Sequence, residues 1–251
     1  GKAVQSARRS RPGRRNECRG RAVDGLRVGC RTAGTGPPAA AIILTGAGDQ
    51  ACCAGGNGKE RAETGSYGET EWGIFEVERL HRMIRDVPKP VIAAVNGVAV
   101  GGGHVLHVLC DLSIASETAR FGQAGPRVGS FDAGFGSAYL ARVVGEKRAR
   151  QMWFLLDLID AQTAERWNLV NDVVPPAELL NKAREYARKI ASYSPTALRF
   201  LKHSFNADTD HIAGVSNIAF DGLDLFVHSD EGAEGAKAFA EKRRPDFSPY
   251  R

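Results

Sequence analysis

The stretch FGQAGPRVGSFDAGFGS, Phe121 to Ser137, sets Gln123, Ser130 and Asp132 among closely spaced glycines. A short acid beside a hydroxyl can protonate or hydrogen-bond an accepting carboxyl group when its pKa is raised. Taken alone, Asp132 reads equally as a turn aspartate capping a helix. Gln123 supplies an amide NH₂ and Trp153, in RARQMWFLL, an indole N–H, both donors suited to an anion. A tryptophan on an apolar helix is, however, first read as core.

Two glycine turns add a second kind of chemistry. CCAGGN, residues 52–57, and VGGGHV, residues 100–105, each follow an apolar run. Glycine at a strand end permits tight turns and aims backbone N–H groups outward. Two such turns on adjacent strands could direct two donors at one oxygen, an oxyanion hole, with a helix N-terminus adding positive potential. Either turn alone serves equally as a simple change of direction; the pair is the more specific signal.

These groups must be held by a scaffold. AAAIILTG (39–46), KPVIAAVNG (89–97) and CDLSIAS (110–116) read as buried strands. Between the first two lies a Gly-rich loop, 51–68, then a segment whose Ile74, Val77, Leu80, Met83 and Ile84 recur at helical spacing. Helical patterns dominate after residue 145. The expectation is an α/β chain with a core over residues 1–184 and a C-terminal helical region over 185–251.

The chain has 251 residues, 43% of them hydrophobic, enough for one sizeable core. It contains no apolar run of bilayer-spanning length, and its N-terminal segment lacks the apolar core of a signal peptide. A cytoplasmic protein with no membrane association is expected. Cysteines 18, 30, 52, 53 and 110 show no metal-ligand spacing, and their odd number argues against a complete disulfide framework, so reduced thiols are expected. The formal charge of +5 gathers in RRSRPGRR and EKRRPDF. Such ends suit a phosphorylated small ligand as well as nucleic acid, and no nucleic-acid module accompanies them.

GAGDQACCAGGN, KPVIAAVNGVAVGGGHVLHVLCDLSIAS and FGQAGPRVGSFDAGFGSAYLARVVG resemble the signature regions of the crotonase (enoyl-CoA hydratase/isomerase) superfamily, and the similarity runs from about RPGRRN to KRRPDF. The resemblance implies a spiral of ββα units with C-terminal helices that trimerise, commonly into a hexamer. It also implies an acyl-CoA substrate whose thioester enolate is held by the backbone N–H groups of Gly56 and Gly102. Hydratases of the superfamily carry two glutamates where this chain has Val105 and Gly125.

GPRVGSFDAGFGSAYLAR, SPTALRFLKHSFNADTD and EGAKAFAEKRRPDF are similar to the 1,4-dihydroxy-2-naphthoyl-CoA synthase branch, which closes a ring in o-succinylbenzoyl-CoA by an intramolecular Claisen condensation in menaquinone biosynthesis. That resemblance makes Ser130 and Asp132 catalytic. It assigns Gln123, Gly125 and Trp153 to a bicarbonate that serves as base, with no metal. It places Lys59, Arg61 and Tyr67 on a loop contacting substrate, and Phe239 and Lys242 against the CoA of a neighbouring subunit. Val227 stands where the branch has a catalytic tyrosine, with His228 beside it; Asn57, Gly58 and the NECRG segment also depart from the pattern. The alternatives are a ring-opening 2-ketocyclohexanecarboxyl-CoA hydrolase and a non-catalytic CoA- or RNA-binding paralogue.

Overall fold

The computed structural model describes residues 4–6, 39–48, 50–53, 55 and 76–251. Among the described residues, nine strands form two sheets. The larger contains β1 (Val4–Ser6), β2 (Ala41–Thr45), β4 (Val91–Val95), β6 (Leu112–Ser116) and β9 (Asp172–Val174) in that order, all parallel. The smaller runs β3 (Ala51–Cys53), β5 (Val98–Val100), β7 (Arg120–Gly122), β8 (Ile159–Asp160), with only β7 and β8 antiparallel. Successive strands β2–β3, β4–β5 and β6–β7 each put one member in each sheet, so the chain winds as a spiral. The α/β architecture agrees with the sequence expectation.

The apolar runs become strands because both faces of the larger sheet are covered. Ile42, Leu44, Val91, Ala93, Val95 and Ala115 enter the main core, while Ala41, Ile43, Ile92, Ala94 and Ile114 face the other way. The second face is covered by the helix Leu179–Ala191 through Leu179, Ala183 and Ala187. Residues 184 and 185 lie inside that helix, so the expected division between core and C-terminal region falls within an element of the sheet's own cover.

The helix expected from the periodicity over 69–87 is described as α1 (Glu76–Asp86). Leu80 and Ile84, four apart, are wholly buried, each contributing roughly 1.5–3 kcal/mol. Its C-terminal end is clamped from outside. The helix Pro195–Ala207 delivers Lys202, only 5% exposed, whose Nζ donates to the Ile84 carbonyl (2.9 Å), the Lys89 carbonyl (3.1 Å) and Asp111 Oδ2 (2.8 Å). Asp111 Oδ2 also accepts the Val91 N–H at 2.7 Å, tying the start of β4 into the same knot.

Cys52 and Cys110 are free thiols, and burial pushes the Cys52 pKa up to about 11. Cys53 is disulfide-bonded, which corrects the expectation of reduced thiols throughout. An odd cysteine count excludes complete pairing but leaves room for a bridge. No described helix is long and apolar enough to cross a membrane.

Candidate active site

The two glycine turns meet. Gly55, at φ 85°, ends the β3 turn, and an ideal Cβ built on it would lie 3.2 Å from the Val100 carbonyl oxygen and 3.4 Å from the Gly102 nitrogen. Gly102 opens the short helix Gly102–Val108 directly after β5. The first N–H groups of a helix have no intrahelical acceptor, so the junction presents donors and positive potential together. Gly56 lies outside the described residues, as do Lys59, Arg61 and Tyr67; Gly102 is on the rim of this junction.

The segment 125–139 carries Ser130 and Asp132. A 3₁₀ turn, Gly125–Val128, ends at Gly129 with φ 64°, and the Ser130 N–H returns to the Gly125 carbonyl at 2.9 Å. Asp132 Oδ1 accepts the N–H groups of Gly134 (3.3 Å) and Gly136 (2.8 Å), fixing the entry to a π-helical turn, Phe135–Tyr139. Such turns are costly and recur at functional sites. Among the described residues Oδ2 has no hydrogen-bond partner, so Asp132 serves both readings of the sequence: one oxygen shapes the turn and the other is available for chemistry.

The helix Asp230–Glu241 closes onto this segment. An ideal Cβ on Gly129 would sit 2.3 Å from the Gly232 carbonyl oxygen, and one on Gly235 only 2.2 Å from the Gly129 nitrogen. Glycine on both sides lets two backbones touch. The C-terminal segment then folds back, leaving a cleft of about 400 Å³ beside Ser130. Phe131, Phe226, Phe247 and Tyr250 supply aromatic walls, and the charged Glu231 and Arg251 also line it. The Tyr250 phenol is held protonated: desolvation raises its pKa, and the charges of Asp230, Glu234, Glu231 and Asp246 add to the rise.

Gln123, Gly125 and Trp153 surround the same segment, but their polar groups are engaged elsewhere. The Trp153 indole N–H donates to the Gly136 carbonyl at 2.6 Å. Gln123, 2% exposed, donates through Nε2 to His104 Nδ1 at 3.0 Å and keeps an unpartnered Oε1, an acceptor. Burial takes His104 down to about 3, so its ring is neutral. An ideal Cβ on Gly125 would meet the Ser130 carbonyl oxygen at 2.5 Å and the Trp153 ring at 3.0 Å. As placed, these residues do not fit a bicarbonate: the indole is committed, the glycine leaves no room, and the free amide atom is an acceptor facing an anion.

Phe239 is 52% exposed and Lys242 caps its helix in a left-handed conformation; neither lines the cleft. Val227 is buried against Phe220 and Leu223, while the His228 Nδ1–H donates to the Asp224 carbonyl at 2.7 Å, away from the cleft. Sequence reasoning missed Glu231, Tyr250 and His81. The Ser229 cap before an acidic first turn signals where the last helix starts, but no local pattern tells that it lands on Gly129. His81, 1% exposed with both ring nitrogens unpartnered, lies where burial lowers its pKa and the Asp132 charge partly opposes that.

Residues 7–249 match the family model described as enoyl-CoA hydratase/isomerase. The chain belongs to the enoyl-CoA hydratase/isomerase family. It is similar to an enoyl-CoA hydratase from Mycobacterium avium subsp. paratuberculosis K-10, at 29% identity and a TM-score of 0.83, over 99% of this chain and 96% of that one. It is similar also to an enoyl-CoA hydratase from Bacillus anthracis, at 32% identity and a TM-score of 0.68, over 92% and 90% of the two chains. A monofunctional enoyl-CoA isomerase from M. smegmatis matches at 28% identity and a TM-score of 0.68, over 82% and 88%. The spiral of strands and the C-terminal helices are therefore those of an acyl-CoA enzyme of the hydratase/isomerase family. Val105 is 1% exposed in the core, and Gly125 carries no side chain.

Proposed function

We propose that this enoyl-CoA hydratase/isomerase family member is a 1,4-dihydroxy-2-naphthoyl-CoA synthase, closing the second ring of o-succinylbenzoyl-CoA. The observation that carries the reading is the aromatic cleft at Ser130, with Asp132 beside it and no carboxylate at 105 or 125. Adding water to an alkene requires groups to orient and deprotonate that water, and a valine and a glycine offer none. Four aromatic walls suit an aryl acyl group.

The α-proton leaves the carbon beside the thioester, and the electron pair moves onto the thioester oxygen, where the backbone N–H of Gly102 and its partner at Gly56 stabilise it. Each donor of this kind is worth about 10²–10³ in rate. The enolate carbon then attacks the substrate's aromatic carboxyl group, which is hydrogen-bonded by the Ser130 hydroxyl and the free oxygen of Asp132, and water is lost. Lys59, Arg61 and Tyr67 contact the substrate's carboxylate from their loop, and Phe239 and Lys242 meet the CoA of a second copy. Exposed Phe200, Phe205, Ile218 and Leu225 on the last long helices suit burial in a homo-oligomer, a trimer or hexamer.

The test is incubation with o-succinylbenzoyl-CoA and detection of the naphthoyl-CoA product by its absorbance. Absence of product at saturating substrate removes the synthase reading.

A further inference from the structure

A backbone donor stabilises a developing oxyanion only if its N–H is already aimed at the place where the charge appears. Gly102 opens a helix of only seven residues, Gly102–Val108, and the chain there is poorly suited to hold still. Gly101, Gly102 and Gly103 follow one another, and glycine has more backbone freedom than any other residue. A helix this short is not stable alone and takes its geometry from what it packs on. Among the described residues no side chain caps Gly101, which sits at φ 57° and ψ −127°.

Two bonds to the end of β7 supply restraint. The Gly101 N–H donates to the Gly122 carbonyl at 3.1 Å. The next residue, Gln123, donates from Nε2 to His104 Nδ1 at 3.0 Å. His104 is the third residue of the helix, so this side-chain bond grips the same turn that carries Gly102. Both partners are buried, and the imidazole packs edge-on against His107 and Phe121, with ring centres 4.9 and 6.4 Å away. The turn also rests on β3: an ideal Cβ on Gly103 would lie 2.0 Å from the Cys53 carbonyl oxygen. Burial keeps His104 neutral down to about 3, so Nδ1 offers its lone pair to the amide throughout the neutral range.

We propose that Gln123 is a positioning residue that, through His104, aims the Gly102 N–H at the thioester oxygen. Its amide acts on the backbone donor and not on an anion of its own. The assignment rests on that part of the synthase reading which puts the thioester at Gly102, and it is measurable without ring closure.

The experiment uses 4-oxo-4-phenylbutanoyl-CoA labelled with ¹³C at the thioester carbonyl, which lacks the carboxyl group needed to cyclise. Isotope-edited infrared difference spectra read the polarisation of that carbonyl when the probe is bound. The wild-type protein moves the stretch to lower frequency. Gln123→Met and His104→Leu each lose most of that shift while still binding the probe, and the double variant loses no more than either, because all three break one bond. His104→Asn, whose Oδ1 takes the place of Nδ1 as acceptor, keeps the shift. A side chain that only filled space would change stability and affinity and leave the bound carbonyl shifted as in wild type. If the apolar variants fail to fold, Gln123→Asn serves: it keeps the amide, shortens its reach, and loses the shift. A wild-type shift in Gln123→Met, His104→Leu or Gln123→Asn, or a lost shift in His104→Asn, overturns the proposal. Wild-type protein that leaves the carbonyl unshifted removes Gly102 as the donor and the proposal with it. A Gln123-dependent shift without ring closure of o-succinylbenzoyl-CoA removes only the synthase.

Discussion

Asp132 accepts the backbone N–H of Gly136 through Oδ1 at 2.8 Å, and that one bond decides how a variant at this position should behave. An asparagine keeps an acceptor oxygen there and loses only the ionisable second oxygen. Asp132→Asn should fold and bind CoA normally while ring closure falls by about 10²-fold or more. Steady-state turnover and a CoA-binding titration check it; normal turnover would make Asp132 a turn residue only.

Gly129 combines a positive φ with backbone contact to Gly232 and Gly235. Gly129→Ala strains the conformation and pushes the last helix outward, taking Glu231 from the cleft. The expected result is a loss of both stability and ring closure, read by thermal unfolding and by product absorbance. An alanine variant with wild-type turnover would show that the helix contact does not position the site.

Lys202 is 5% exposed and joins two helix or loop carbonyls to Asp111. Lys202→Met leaves Asp111 and both carbonyls short of a donor and should lower stability by about 3 kcal/mol. The urea midpoint measures this. An unchanged midpoint would mean that burying the ammonium costs as much as its bonds return.

Burial lowers the pKa of His81, His104 and His107, the Asp132 charge partly opposing at His81 and His104 adding to the fall at His107. Above the ordinary histidine value of about 6.5 both folded and unfolded chains hold these rings neutral. Below it the unfolded chain binds protons that the folded chain refuses, so stability falls as pH drops, for His104 down to about 3. Each ring contributes about 1.4 kcal/mol per pH unit once fully in that range. Urea midpoints at pH 7.5 and 5.5 should separate, and His104→Gln should narrow the gap. Equal midpoints would contradict the burial argument.

The strands and the meeting of the two glycine turns were legible because both rest on local rules: a continuous apolar run is buried on two faces, and Gly55 beside Gly102 follows from parallel strands ending together. The cleft was not legible. It depends on Gly232 reaching Gly129 across about a hundred residues of chain, and nothing local in SDEG announces that contact. Trp153 shows the same limit. Its indole is recognisable as a donor from sequence, but whether it serves an anion or the Gly136 carbonyl depends on the rotation of its helix against the π-helical turn.

The account stands most directly on ring closure of o-succinylbenzoyl-CoA, followed by product absorbance with bicarbonate omitted and then restored. It predicts naphthoyl-CoA in both conditions, formed about 10²-fold or more slowly by Asp132→Asn. No product at saturating substrate from folded, CoA-binding protein would contradict it.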